Sequence, residues 1–164
     1  MSGKRKKPDD PREWLNRARS NLARSRLALP GIYFEDLCFD AQQAAEKAIK
    51  AVLIFKQIRY PYIHDLGKLL YIAERRKIKV SLKVRRAARL TRYAVSSRYP
   101  GLDEPVSDKE QKEAVKIAEN VIIDLRINNG KDIIYATAIQ THRYKPKEAV
   151  ENVEDVELRN EAFV

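Results

Sequence analysis

One cysteine, Cys38, in 164 residues excludes an internal disulfide and any multi-cysteine metal site. It stands among apolar residues, the setting of a buried, inert thiol. Only five glycines and seven prolines interrupt the chain, so its periodic segments run long, which favours helices over short strands. No glycine loop is built to cradle phosphate, no G-x-S-x-G is present and no paired-carboxylate signature appears. Two isolated histidines and one cysteine do not make a metal site, and no resident metal or cofactor is expected. No stretch approaches 18 uninterrupted apolar residues, and the basic N-terminus "MSGKRKKPDDP" lacks the apolar run of a signal peptide. The expectation is a cytoplasmic protein without a membrane partner.

What is abundant is charge. Charged residues make up 34% and hydrophobic ones 44%, a globular balance. The formal net charge of +10 suits a polyanion partner or, equally, a charge-rich surface that serves solubility and stability. From Arg75 to Arg98 ten cations occur with no acidic residue between them. On helical spacing, Arg85, Arg89 and Arg92 form a row at i, i+4 and i+7, an arrangement of like charges that a phosphate ligand would relieve. The competing reading is a solvated face balanced by carboxylates elsewhere.

Apolar periodicity outlines five helices. "DDPREWLNRARSNLARSRLAL" is capped by Asp9 or Asp10, with Pro11 in its first turn and Trp14, Leu15, Ala18, Leu22 and Leu29 turned inward. A second helix runs from about Glu35 to Gln57 with an alanine-rich inner face. A third starts near His64. The fourth, "KVRRAARLTRYAVSSRY", stops at Pro100-Gly101, and the fifth runs from Ser107 to about Asn128. Short connections between such helices predict an all-α, up-and-down bundle over residues 10–129, preceded by a basic, disordered segment 1–9. Residues 130–164 change character: "DIIYATAIQTHRY" reads as a strand or extended arm, and the end is acidic, suited to pack on the basic bundle or on a partner subunit.

The break "RYPYIH" places Arg59 and His64 with four residues between them. A histidine can take a proton from a ribose 2′-hydroxyl or give one to a leaving 5′-oxygen, and an arginine can stabilise charge developing at phosphorus. At a helix start, the positive dipole end would favour the neutral imidazole a base needs. Alternatively His64 caps the third helix and Arg59 pairs with a carboxylate. Gln43, Lys47 and Lys50 share one face of the second helix, and Gln42 and Glu46 the adjoining one. They suit either a ligand phosphate or interhelical hydrogen bonds. Arg98 and Tyr99 suit a ligand cleft or an anchor for a helix end.

Taken together, "EWLNRARSNLARSRLAL", "FDAQQAAEKAIKAVL", "IHDLGKLL", "YAVSSRYPG" and "EAVKIAENVIIDL", in that order and spacing, resemble the HEPN family, the higher eukaryotes and prokaryotes nucleotide-binding domain. The resemblance covers roughly residues 12 to 128. It implies a bundle of about five helices, a homodimer, and nucleotide or RNA as ligand. It also implies a toxin–antitoxin-type component, often paired with a minimal nucleotidyltransferase. Some members are metal-independent endoribonucleases using R-x(4–6)-H, the pattern that Arg59 and His64 match. Here Tyr60 and Pro61 follow Arg59 where active members carry a polar residue. Two further readings stand beside the nuclease: a non-catalytic subunit docking a nucleotidyltransferase, and an interaction scaffold.

Overall fold

The computed structural model describes residues 9–95 and 104–127. Among these the chain is all-α: α1 (Pro11–Ser25), α2 (Phe34–Phe55), α3 (Leu66–Arg75), a single turn α4 (Leu82–Arg85) running into a 3₁₀ helix η1 (Arg86–Ala94), and α5 (Asp108–Ile127). The expected strand or arm, the acidic end and the N-terminal segment fall outside the described residues. So do His142 and the pair Arg98 and Tyr99.

Each start has a chemical cause. Asp10 caps α1, its carboxylate accepting from the Arg12 amide, with Pro11 at the first helical position where no donor is needed. Ser107 and Glu110 form a reciprocal capping box at α5, each side chain accepting from the other's backbone amide. Both α2 and α3 close in the same way. Gln57 and Lys77 adopt left-handed φ values of 55° and 64°. The next residues, Ile58 and Ile78, donate back to Leu53 and Ala73 and bury their side chains.

α2 is the hub. It packs against α1, α3, η1 and α5, which is why its alanines at 41, 44, 45, 48 and 51 are all buried and why apolar residues surround most of its circumference. Small side chains let the neighbouring backbones approach. Ile49, Leu53, Leu66, Leu69, Leu90 and Val121 fill the remaining volume. α5 supplies Ala114, Ile117, Ala118, Val121 and Leu125, the inward stripe read from its periodicity. A buried Gln111 amide donates to the Ser25 carbonyl at 2.6 Å, finishing α1 from the far end of the chain.

The structure corrects three expectations. Leu29 is not core: α1 stops at Ser25 and Leu29 is 58% exposed in the following turn. The third helix begins at Leu66 with Asp65 as its cap, so His64 precedes the helix. The fourth helix is mostly 3₁₀ rather than α. Its buried residues explain why: Val84, Ala87, Leu90 and Tyr93 recur every third residue, the period of a 3₁₀ turn. Thr91 then reaches α3, its hydroxyl accepting from the Leu66 amide at 3.1 Å.

Candidate functional site

His64 lies in the connector between α2 and α3, and a carboxylate on α2 meets it. Glu46 is 3% exposed. Its Oε1 and Oε2 lie 3.0 and 3.1 Å from His64 Nδ1. Lys50 Nζ donates to Glu46 Oε1 at 2.8 Å, and the Gln42 amide donates to Oε2 at 2.8 Å. Gln43 donates in turn to the Gln42 carbonyl oxygen. Gln42, Glu46 and Lys50 follow at i, i+4 and i+8, so one line of α2 carries an unbroken polar network through an alanine-rich face.

Lys50 is itself 2% exposed and closed over by rings. Its ammonium sits 5.9 Å from the Trp14 ring centroid and 5.6 Å from those of Tyr60 and Tyr62. The "YPY" stretch thus builds the lid of this chamber. Burial pushes the Glu46 carboxyl up. The hydrogen bonds from Lys50 and Gln42 and the charge of Lys50 and His64 outweigh that, leaving it below the usual carboxylate range. Burial, with Glu46 adding to it, pushes the Tyr60 phenol up to about 12, so it stays protonated.

Chemically, a buried carboxylate at Nδ1 orients the ring and selects the tautomer with the proton on Nδ1, leaving Nε2 as the available base. The His64 side chain is 41% exposed, and its ring meets Tyr62 edge-on at 5.5 Å between centroids. Tyr62 is 88% exposed. The group that orients the imidazole is therefore Glu46, and Asp65, not His64, takes the capping position of α3. Arg59, the other half of the sequence motif, lies exposed at the end of the α2 connector.

The remaining residues separate. Lys47 turns toward α1, donating to Asn21 Oδ1 at 2.7 Å, and Asn21 donates to Asp40, which Arg24 also engages. Burial pulls the Lys47 ammonium pKa down, opposed by Glu46. The expected common face of Gln43, Lys47 and Lys50 is therefore divided between an α1–α2 bridge and the Glu46 network. Arg85, Arg89 and Arg92 face carboxylates: Glu74 at 2.6 Å, Glu113 at 2.8 Å and Glu110 at 3.1 Å. With a 3₁₀ period the arginine row becomes Arg86, Arg89 and Arg92 rather than Arg85, Arg89 and Arg92. Arg89 and Arg92 also line a recess of about 280 Å³ between η1 and α5, away from His64. Cys38 is fully buried, and burial pushes its thiol up to about 11, as an inert thiol requires. Among the described residues no cluster of metal-ligating side chains occurs, and no helix is long and apolar enough to cross a membrane.

Sequence reasoning missed the role of Glu46 toward His64 and the caging of Lys50. The available signal was the i, i+4, i+8 polar line of Gln42, Glu46 and Lys50 among alanines.

The HEPN domain family matches residues 11–128. Among solved structures, the chain is similar to TT1696 from Thermus thermophilus, with 29% identity, a TM-score of 0.63, and coverage of 71% of this chain and 96% of that one. It is also similar to ST0689, described as an archaeal HEPN homologue, with 26% identity, a TM-score of 0.57, and coverage of 70% and 93%. No curated protein matches it.

Proposed function

Because the chain belongs to the HEPN family, we propose that it binds nucleotide or RNA and acts as a toxin–antitoxin-type, metal-independent ribonuclease, with His64 as its acid–base group. The observation that carries this reading is the Glu46–His64 contact, a buried carboxylate holding Nδ1 of a half-exposed imidazole. In the reaction, Nε2 takes the proton of a ribose 2′-hydroxyl. The 2′-oxygen then attacks the adjacent phosphorus, and the P–O5′ bond breaks to leave a 2′,3′-cyclic phosphate. The imidazolium returns its proton to the departing 5′-oxygen. Arg59 and Arg98 offset charge on the phosphoryl oxygens, and Tyr62 offers an exposed ring for a base. Arg85, Arg89 and Arg92 hold flanking phosphates, since exposed ion pairs are worth only about 0–1 kcal/mol and yield readily to a polyanion. Gln43 supports the site from α2 through Gln42, Lys47 ties α2 to α1 beside it, and Tyr99 joins Arg98. The active form is a homodimer.

The test is incubation of the purified dimer with mixed RNA in EDTA. Cleavage should survive chelation and fall at least about 100-fold in His64→Ala, the usual worth of a general acid–base group. A dimeric wild type that leaves RNA intact, or a His64→Ala variant that cuts as well, overturns it. A second reading takes the same surface as a docking site for a minimal nucleotidyltransferase. Tyr62, 88% exposed, favours it, as does the Tyr60-Pro61 pair that follows Arg59. Co-elution with such a partner, abolished by Tyr62→Asp but not by His64→Ala, would support that alternative.

A further inference from the structure

The basic strip divides into two populations. Arg85, Arg89 and Arg92 have carboxylate partners on α3 and α5. Arg75, Arg76, Lys77, Lys79, Lys83 and Arg86 are all exposed, and none has a carboxylate partner among the described residues. Six like charges on a stretch of twelve residues repel one another, a cost that an anionic partner removes.

The end of α5 lies beside this strip. Ser81, the cap of α4, donates to Asp124 at 2.5 Å, so the chain leaves α5 at Ile127 only three residues beyond a contact with the strip's midpoint. The C-terminal sequence carries the complementary charge. From Glu148 to Glu161 there are six carboxylates (Glu148, Glu151, Glu154, Asp155, Glu157 and Glu161) against one cation, Arg159. Glu148 stands twenty-one positions beyond Ile127, a span of up to roughly 70 Å when extended. Covalent linkage makes the encounter of the two intramolecular, which raises their effective concentration over that of separate chains.

We propose that the acidic segment 148–161 docks on the unpaired cations of Arg75–Arg86 in the same chain and competes with polyanions for that surface. Six carboxylates, net −5 with Arg159, meet six cations, and the chain leaves α5 beside the strip itself. The docked segment raises the threshold for binding, so that only a ligand making several phosphate contacts displaces it. The polyanion arm of this inference rests on the RNA-binding reading above; the docking itself does not depend on His64 chemistry.

Two measurements on the full chain test it. Carbodiimide cross-linking should join segment carboxylates to Lys77, Lys79 or Lys83, in preference to Lys112 and Lys116, and the products should fade as salt rises. In a mixture of isotopically light and heavy protein the cross-links should stay within one isotope. Cross-links spread evenly over surface lysines, or mixed-isotope pairs making up about half of the products, as linking between chains would give, overturn the assignment. Secondly, the six carboxylates are replaced by amides (Glu→Gln, Asp155→Asn) and affinity for polyuridylate is measured against salt. The amidated protein should bind about tenfold more tightly at low salt, with a slope steeper by about 0.7 for each phosphate contact regained. Replacing Arg75, Arg76 and Lys77 by serine should abolish that gain. Equal affinity and slope before and after amidation overturn the competition. Intact strip-specific cross-links alongside absent polyuridylate binding would instead preserve the docking and overturn the RNA-binding reading.

Discussion

At the scale of single residues, Glu46 holds the centre of the molecule together and its worth depends on protonation. Its folded pKa is depressed, so the stabilisation it provides is fully present above the pKa of an unfolded glutamate. That stabilisation is lost as pH falls through the lower, folded value. Denaturant midpoints should therefore decline steeply below about pH 4.5, the region where an ordinary glutamate titrates. The Glu46→Gln variant should show a shallower decline over the same range. Near neutral pH that variant keeps the shape of the side chain but leaves the Lys50 ammonium buried without a counter-charge, at a cost of about 3–5 kcal/mol. Equilibrium urea unfolding at pH 7 checks this; a loss under about 1 kcal/mol would mean that the three rings alone satisfy Lys50. The histidine was visible in the sequence because it is rare and follows an arginine. Its orienting partner was not, because Glu46 lies eighteen residues away on another element and only the packing of the connector onto α2 brings the two together.

At the scale of elements, the helices were legible wherever an apolar stripe or a cap marked them. Pro11 with Asp10 announced α1, the alanine face announced α2, and the start at Ser107 with its apolar stripe announced α5. The fourth segment was misread because arginines at 85, 89 and 92 fit an α period as readily as those at 86, 89 and 92 fit a 3₁₀ one. The buried residues at 84, 87, 90 and 93 carry the three-residue spacing that the structure adopts, but with Ala94 they fit an α period as well. The closures of α2 and α3 were illegible, since both place a bulky residue at a left-handed position that glycine usually fills. Gln57→Gly and Lys77→Gly, made singly, should therefore each stabilise by about 0.5–1 kcal/mol, the left-handed strain removed exceeding the backbone entropy that glycine adds. Thermal denaturation reads the change directly, and a lowered midpoint in both would contradict it. Because Lys77 also belongs to the basic strip, Gln57 is the cleaner of the two.

At the scale of the whole molecule, architecture and family followed from the order of five segments, none of which is distinctive alone. The charge arrangement followed only in part. The run of cations was plain, but which of them are matched by α3 and α5 depends on how η1 lies against those helices. Stability is also shared unevenly. α1 and α2 are neighbours in sequence and pack closely, whereas α5 joins them across a long interval: the Gln111–Ser25 bond spans 86 residues. Native-state hydrogen exchange should find α2 the best protected element and α5 opening at lower free energy. Uniform protection along both would show a single cooperative unit instead.

The hub position of α2 has a consequence for the chain as it is made. Its alanine face is complete by residue 55, but the α5 residues that cover part of it are not synthesised until 114–125. For some seventy residues of elongation, several seconds at typical rates of about 5–20 residues per second, the nascent chain holds its most apolar helix partly bare. That interval, rather than the finished fold, is when the protein is most exposed to aggregation.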